Sequence, residues 1–187
     1  MKHINIVFIA LLFALFSSTE ARAQQVAVKV NGLMCAAFTP NIGCEVVIAD
    51  NSSVDLSVFG HYKPFGIHSS ILGIQPEYRY WFNGRPMIRE YVGATMLYSS
   101  YDMTFSKQVF DGDGLGFGLT GGYVFSFGKR WNLELSGGFG FFFFHQKQYY
   151  KGDNYDDYFV DEAVKANSWG YELVPIKLGV TISYIIK

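Results

Sequence analysis

Large apolar side chains fall on alternate positions from residue 115 to residue 127, and again from 131 to 143. In the first run Leu115, Phe117, Leu119, Tyr123, Phe125 and Phe127 are set against Gly116, Gly118, Thr120, Gly122 and Ser126. In the second, Trp131, Leu133, Leu135, Phe139, Phe141 and Phe143 are set against Asn132, Glu134, Ser136, Gly138 and Gly140. A period of two marks β-strands, whose successive side chains point to opposite faces. Gly128-Lys129-Arg130 interrupts the alternation, so the two runs predict a hairpin with one bulky apolar face and one small or polar face.

The same pattern predicts six more strands. Residues 26–38 set Val28, Val30, Gly32, Met34, Ala36 and Phe38 against Lys29, Asn31, Leu33, Cys35 and Ala37, and Thr39-Pro40-Asn41 turns the chain. In the next strand Ile42, Cys44, Val46 and Ile48 oppose Gly43, Glu45 and Val47. If Phe38 faces Ile42, Cys35 pairs with Glu45 and Cys44 with Ala36, and the two thiols point to opposite faces, which argues against a disulfide. After a turn at residues 50–53, Val54, Leu56 and Val58 alternate with Asp55, Ser57, Phe59 and His61. A loop over 63–70 leads to a strand at 71–82, in which Leu72, Ile74, Tyr78, Tyr80 and Phe82 oppose Gly73, Gln75, Glu77, Arg79 and Trp81, with Pro76 a candidate bulge. A turn at 83–86 precedes an irregular strand at 87–102 with Val92, Ala94, Met96 and Tyr98 on its apolar side. Residues 103–114 read as a polar connection and 146–173 as a long irregular loop. The last strand sets Ile176, Leu178, Val180, Ile182, Tyr184 and Ile186 against Lys177, Gly179, Thr181, Ser183 and Lys187.

Eight strands put both chain ends on one side. Connections there are short (49–53, 83–86, 128–130), and those on the other side lengthen to 12 and 28 residues at 103–114 and 146–173. Outer-membrane barrels of bacteria show this parity of short periplasmic turns and longer external loops. Volume argues the same way, because an eight-stranded barrel is only just wide enough for side chains to fill. Six large residues per strand would overfill it, but they fit outside against lipid. The chain is therefore expected to be an all-β, eight-stranded antiparallel up-and-down transmembrane barrel with both termini periplasmic. Lys29, Glu45, Asp55, Glu77, Arg79, Glu134 and Lys177 should form a lumenal ion-pair network. Aromatic residues should gather at the two interfaces: Tyr80, Phe82, Phe125, Phe127, Trp131 and Tyr184 on the periplasmic side, and Phe38, Tyr62, Tyr98, Phe117, Phe141 and Phe143 toward the outer rim. A secreted soluble lipid-binding barrel with its apolar face inward is the alternative.

Composition adds an address. Of 187 residues 50% are hydrophobic, yet the longest apolar run, residues 4–16, is too short to span a bilayer as a helix. With Lys2 before it and Ala21-Arg22-Ala23 after it, residues 1–23 read as a cleaved secretory signal, leaving 24–187 as the barrel. The net charge of −1 becomes −2 once Lys2, Glu20 and Arg22 are removed, and nothing suggests nucleic acid. Two cysteines do not make a disulfide scaffold.

Lys29-x-Asn31, Thr39-Pro40-Asn41-x-Gly43-x-Glu45, Gln75-Pro76-Glu77-x-Arg79-Tyr80-Trp81-Phe82 and Gly128-Lys129-Arg130-Trp131-Asn132-Leu133-Glu134 together resemble an uncharacterised family of small bacterial outer-membrane barrels, known as a domain of unknown function. The resemblance covers nearly the whole mature chain, and the architecture is similar to the OmpA/OmpX-type membrane domain. Lys177-x-Gly179-x-x-Ile182-x-Tyr184 resembles the C-terminal strand signal read by the barrel-assembly machinery, although three residues extend past the usual end. The resemblance implies a structural, adhesive or fimbria-linked surface role and supplies no catalytic residues.

Candidate chemistry is sparse. His68 and Ser70, two apart, fit a lipid A deacylase-like outer-membrane enzyme, but no carboxylate is placed to orient His68. The acidic runs 111–114 and 153–157 lack the spacing of a calcium loop. No metal, cofactor or catalytic residue is expected. Tyr149, Tyr150, Tyr155, Tyr158 and Trp169, set among acids, suit an external contact with an unknown surface partner. Outer-membrane lipid and lipopolysaccharide are the other expected partners.

Overall fold

In the computed structural model of the protein, eight antiparallel strands form one up-and-down sheet that closes on itself. The strands are β1 (Val26–Asn31), β2 (Asn41–Ala49), β3 (Ser52–Tyr62), β4 (Ser69–Trp81), β5 (Arg89–Phe105), β6 (Gln108–Phe127), β7 (Trp131–Tyr150) and β8 (Asn167–Ile185). Each pairs with its sequence neighbour, and β8 pairs with β1 from Ala27↔Ile185 to Asn31↔Thr181. The structure describes residues 25–105, 107–150, 159–160, 164–165 and 167–186. The expected signal segment 1–23, the acidic run 153–157, Tyr155 and Tyr158 lie outside the described residues. A minor hairpin joins Phe159–Val160 to Val164–Lys165.

The alternation decides which side each residue takes. Phe117, Phe125, Leu119, Phe139 and Leu178 are exposed on the outer wall, whereas Glu77 and Arg79 are 1% and 0% exposed inside. An inward apolar face is thereby overturned. The glycines explain how a lumen this narrow closes. A Cβ on Gly93 would meet Thr120 Oγ1 at 2.5 Å and Glu77 Oε1 at 2.6 Å, and one on Gly140 would strike the Phe117 carbonyl and the Gly118 Cα.

Several expected boundaries move. β1 ends at Asn31, not at residue 38, because the Asn31 side chain caps a five-residue helix, α1 (Gly32–Ala36), accepting from the Leu33 and Met34 amides at 3.0 and 3.4 Å. The β1–β2 register is therefore Ala27↔Glu45 and Val28↔Cys44 instead of Cys35↔Glu45, and Cys35 and Cys44 are both free and exposed.

The polar connection at 103–114 is strand. β5 and β6 stay paired up to Phe105↔Gln108, so Asp111 and Asp113 belong to β6. The expected loop at 146–173 is likewise strand at both ends, with β7 and β8 paired up to Lys147↔Asn167. In 103–114 glycines and acids obscure the strand pattern, whereas at the C-terminal end of 146–173 Trp169, Tyr171 and Leu173 alternate with Gly170 and Glu172.

Two prolines disturb the ladder differently. Pro76 cannot donate to β5, so the pairing skips from Ile74↔Tyr98 to Glu77↔Thr95 without a change of register, and Thr95 Oγ1 donates to the Pro76 carbonyl at 3.0 Å. Beside Pro175 the register slips by one, from Val174↔Gly140 to Lys177↔Gly138. This bulge turns Ile176, expected on the outer face, into the lumen, where it is 5% exposed.

On the side of the termini the connections are residues 50–51, 82–88 and 128–130. The second is longer than expected. Its Met87, at φ +63°, is buried, and its carbonyl accepts from Asn132 Nδ2 at 3.0 Å, which tucks the loop into the barrel mouth. On the opposite side the wall slopes, since β1 has 6 residues and β2 has 9, while β6 and β7 have 20 each.

The glycine geometry gives a paired prediction. Gly140→Val should destabilise the barrel by about 1–3 kcal/mol through overpacking. Gly137→Val, whose Cβ would meet nothing within 4 Å, should be neutral or better. Urea unfolding of the detergent-solubilised protein checks this, and equal effects of the two substitutions would contradict the assignment of inner and outer faces.

Candidate functional site: the charged lumen and the raised wall

Seven ionisable residues from six strands converge inside the barrel, each at an inward position of its strand. Lys29 Nζ from β1 lies 2.8 Å from Glu45 Oε2, 2.9 Å from Asp55 Oδ2 and 2.6 Å from Glu134 Oε2. Arg79 from β4 bridges the same acids, with its guanidinium nitrogens 2.9 Å from Glu45, 3.4 Å from Asp55 and 3.0 Å from Glu134, and adds Glu77 at 3.0 Å. Lys177 from β8 pairs with Glu77, which also accepts from the Thr120 hydroxyl. The residues expected as a lumenal network, Lys29, Glu45, Asp55, Glu77, Arg79, Glu134 and Lys177, are thus all brought together.

Neutral donors complete the carboxylates. Ser53 Oγ donates to Glu45 Oε1 at 2.6 Å, Ser57 Oγ to Asp55 Oδ1 at 2.8 Å, and Tyr91 OH to Glu134 Oε1 at 2.7 Å. Arg79 also lies 4.5 Å above the Tyr91 ring. Buried charges are tolerable only when paired and hydrogen-bonded in this way. Toward the termini the network rests on Trp81, Tyr91 and Val124, a small apolar cluster. Trp81 Nε1 donates to Ser53 Oγ at 2.8 Å, so this floor is tied to the ions above it.

This arrangement is a plug. Side chains of Arg79, Glu77, Asp55, Ser53 and Trp81 are fully buried across the narrow lumen. On the side away from the termini lies a cavity of about 290 Å³, whose lining includes Asn31, Asn41, Ser57, Phe59, Gln75 and Leu97. Among the described residues no group of three or more His, Cys, Asp or Glu side chains is arranged to hold a metal ion.

His68 is exposed and shares no hydrogen bond with Ser70. The β3–β4 pairing instead brings together His61 and Ser69, with His61 Nε2 2.9 Å from Ser69 Oγ and Nδ1 3.0 Å from Thr39 Oγ1. Their register, in which Tyr62 faces Ser70, would have revealed this pair had the strand been extended to Ser69. Among the described residues, the hydrogen bonds of the His61 ring run to neutral hydroxyls and to no carboxylate.

Of the five aromatic residues expected in one external loop, the three described ones, Tyr149, Tyr150 and Trp169, lie on strands of the wall. Tyr149 and Tyr150 end β7, and Trp169 on β8 is 80% exposed, its ring 4.8 Å from that of His145. Of the expected assembly signal, Gly179 points inward, Ile182 outward, and Tyr184 packs 4.9 Å from Trp131 at the termini-side rim. Sequence reasoning missed Phe142 and Phe144. In a run of four phenylalanines only alternate rings can share a face, and these two face inward with Tyr101, Met103 and Phe110 around a depression of about 390 Å³.

Arg79→Met should cost about 3–5 kcal/mol of stability, because it leaves Glu45, Glu77 and Glu134 short of a cation in the interior. Arg89→Ala, which removes an exposed pair with Glu90, should change stability by less than about 0.5 kcal/mol. Urea midpoints of the two variants in detergent would test the ranking, and comparable losses would refute the reading of the lumen as tightly coupled.

Residues 7–186 match the family described as Protein of unknown function (DUF3575). No curated protein and no solved structure matches the chain.

Proposed function

The chain belongs to the DUF3575 family, and we propose that it is an integral barrel of the bacterial outer membrane, non-enzymatic, with periplasmic termini and an external contact surface. The observation that carries this reading is the inversion of the wall, with oil outside and charge within. Val54, Leu56, Val58, Leu72, Ile74, Met96, Leu119, Phe139, Leu178 and Ile182 are all exposed around the barrel. Soluble monomers rarely expose apolar patches beyond a few hundred Å². Lipid would cover the belt, and a closed sheet leaves none of its backbone groups to be satisfied by lipid around most of its circumference.

The belt has edges. On β5, β6 and β7 the outward pattern changes from Tyr98, Leu115 and Phe143 to Ser100, Asp113 and His145. At the other edge Tyr80, Phe82, Phe127 and Trp131 form an aromatic rim of the kind found at membrane interfaces. A spanning strand needs about 9–11 residues, so β6 and β7, at 20 residues each, rise well past the outer edge. The plug disfavours transport, and the absence of an acid beside His61 disfavours a lipid-modifying enzyme, which leaves structure and surface contact as the role. Lipopolysaccharide would meet the outer rim, and the assembly machinery would read β8 through Gly179, Ile182 and Tyr184.

The mature protein is expected in the outer-membrane fraction, and to migrate anomalously on gels unless boiled. Planar bilayers containing it should show no ion conductance. A membrane-impermeant maleimide should label Cys35 on intact cells, but Lys129→Cys, made with Cys35→Ser, only after the outer membrane is permeabilised. Recovery as a detergent-free soluble protein would end the membrane reading, and the reverse labelling pattern would invert its orientation.

A further inference from the structure

The upper parts of β5–β8 carry apolar side chains that neither lipid nor a core explains. Above the polar edge at Ser100, Asp113 and His145 the convex side of β5–β7 carries Asp102, Asp111 and Lys147, yet on the concave side Tyr101, Met103, Phe110, Phe142 and Phe144 are only half-buried. The strands that would face them across the barrel stop lower, since β1 has 6 residues and β2 has 9. The depression of about 390 Å³ that these side chains line is mostly apolar with few polar groups, the usual make-up of a binding site.

Its rings are laid down on bare backbone. A Cβ on Gly114 would collide with Phe142 Cζ, and one on Gly170 would meet Phe144 Cζ at 2.5 Å. Phe142 and Phe144 consequently lie stacked, with centroids 6.4 Å apart and planes 24° apart. Two polar groups bound the hollow. Tyr101 OH donates to Gln146 Oε1 at 3.0 Å, and Glu172 is the one charged side chain in the lining. Tyr101 pairs with Gly112, between Asp111 and Asp113. Burial, then Asp113, Glu172 and Asp111, push the Tyr101 hydroxyl above its ordinary value, so the local field is negative.

We infer that the concave face of the raised wall is a docking site for an arginine or lysine side chain presented by an extended peptide of a partner protein. The Glu172 carboxylate supplies the countercharge, bidentate for a guanidinium. The aromatic faces add a cation–π attraction that a neutral or anionic group does not gain. Lipopolysaccharide phosphates would be repelled by Glu172, Asp111 and Asp113. The hollow is shallow and open, which suits a side chain carried on a larger body. The site rests on the proposed surface-contact role for its biological setting, but its binding is measurable on the purified chain.

The test uses the full mature chain in detergent micelles and fluorescence anisotropy of labelled Gly-Ser-X-Ser-Gly pentapeptides, where X is arginine, lysine, citrulline or glutamate. The arginine and lysine peptides should bind saturably, and the citrulline and glutamate peptides at least about tenfold more weakly. Glu172→Gln and Phe144→Ala should each weaken arginine-peptide binding about tenfold, and Lys129→Ala at the far end should not change it. Variants are first checked for the unboiled gel shift, and Glu172→Gln alters no packing, so it remains informative if Phe144→Ala misfolds. No saturable binding, equal binding of citrulline and arginine peptides, an unchanged affinity in Glu172→Gln, or displacement of the peptide by purified lipopolysaccharide would each overturn the inference. Failure of the membrane reading would appear in fractionation and leave these affinities intact.

Discussion

Arg79 is the side chain on which the interior depends. It is wholly buried at the centre of four carboxylates and, among the described residues, shares the task of neutralising them with Lys29 and Lys177. The lumen is narrow, and its carboxylates are matched mainly by other side chains. The network draws on β1, β2, β3, β4, β7 and β8, and it therefore reports closure itself: a ring that failed to join β8 to β1 would strand Lys29 and Lys177 on opposite flaps. Ion pairs of this kind are weak as a source of net stability, because desolvation offsets attraction. What costs stability is removing one partner, because that leaves an uncompensated charge inside.

Size follows from the same constraint. Inward positions alternate between charged or aromatic groups and glycines, as at Gly93 beneath Glu77 and Thr120, or Gly122 against the Tyr91 ring. The outer wall has no such limit and carries its bulk there. At Pro175 a single extra residue lets Ile176 and Lys177 both reach inward, filling space over Gly116 and Gly118 while Lys177 reaches Glu77.

The slope of the upper rim separates two jobs within one sheet. Where all eight strands are present, the barrel is closed and plugged. Above the ends of β1 and β2 the longer strands continue, and among the described residues their concave side carries aromatic rings that are only half-buried. Phe142 and Phe144 line that concave surface, with Tyr101 at its base, where β4 still pairs with β5.

Strand number, the direction of each face and the seven lumenal charges could be read from the sequence, because alternation is a local property that survives without knowledge of neighbours. The Gly128-Lys129-Arg130 turn was legible for the same reason, as Phe127↔Trp131 shows. Tertiary structure alone decided the rest. Asn31 could have continued a strand, and only its capping of α1 ended it. Residues 103–114 and 146–150 carry little alternating apolar signal, and pairing with a neighbouring strand keeps them extended, whereas Trp169, Tyr171 and Leu173 alternate with Gly170 and Glu172 and could have been read as strand. The inward turn of Ile176 needed a bulge, and the meeting of His61 with Ser69 needed a register, both of which are relations between strands. A period belongs to one strand, whereas a register, a bulge or a hollow belongs to two or more, and that is the physical boundary between what the sequence by itself determined and what it did not.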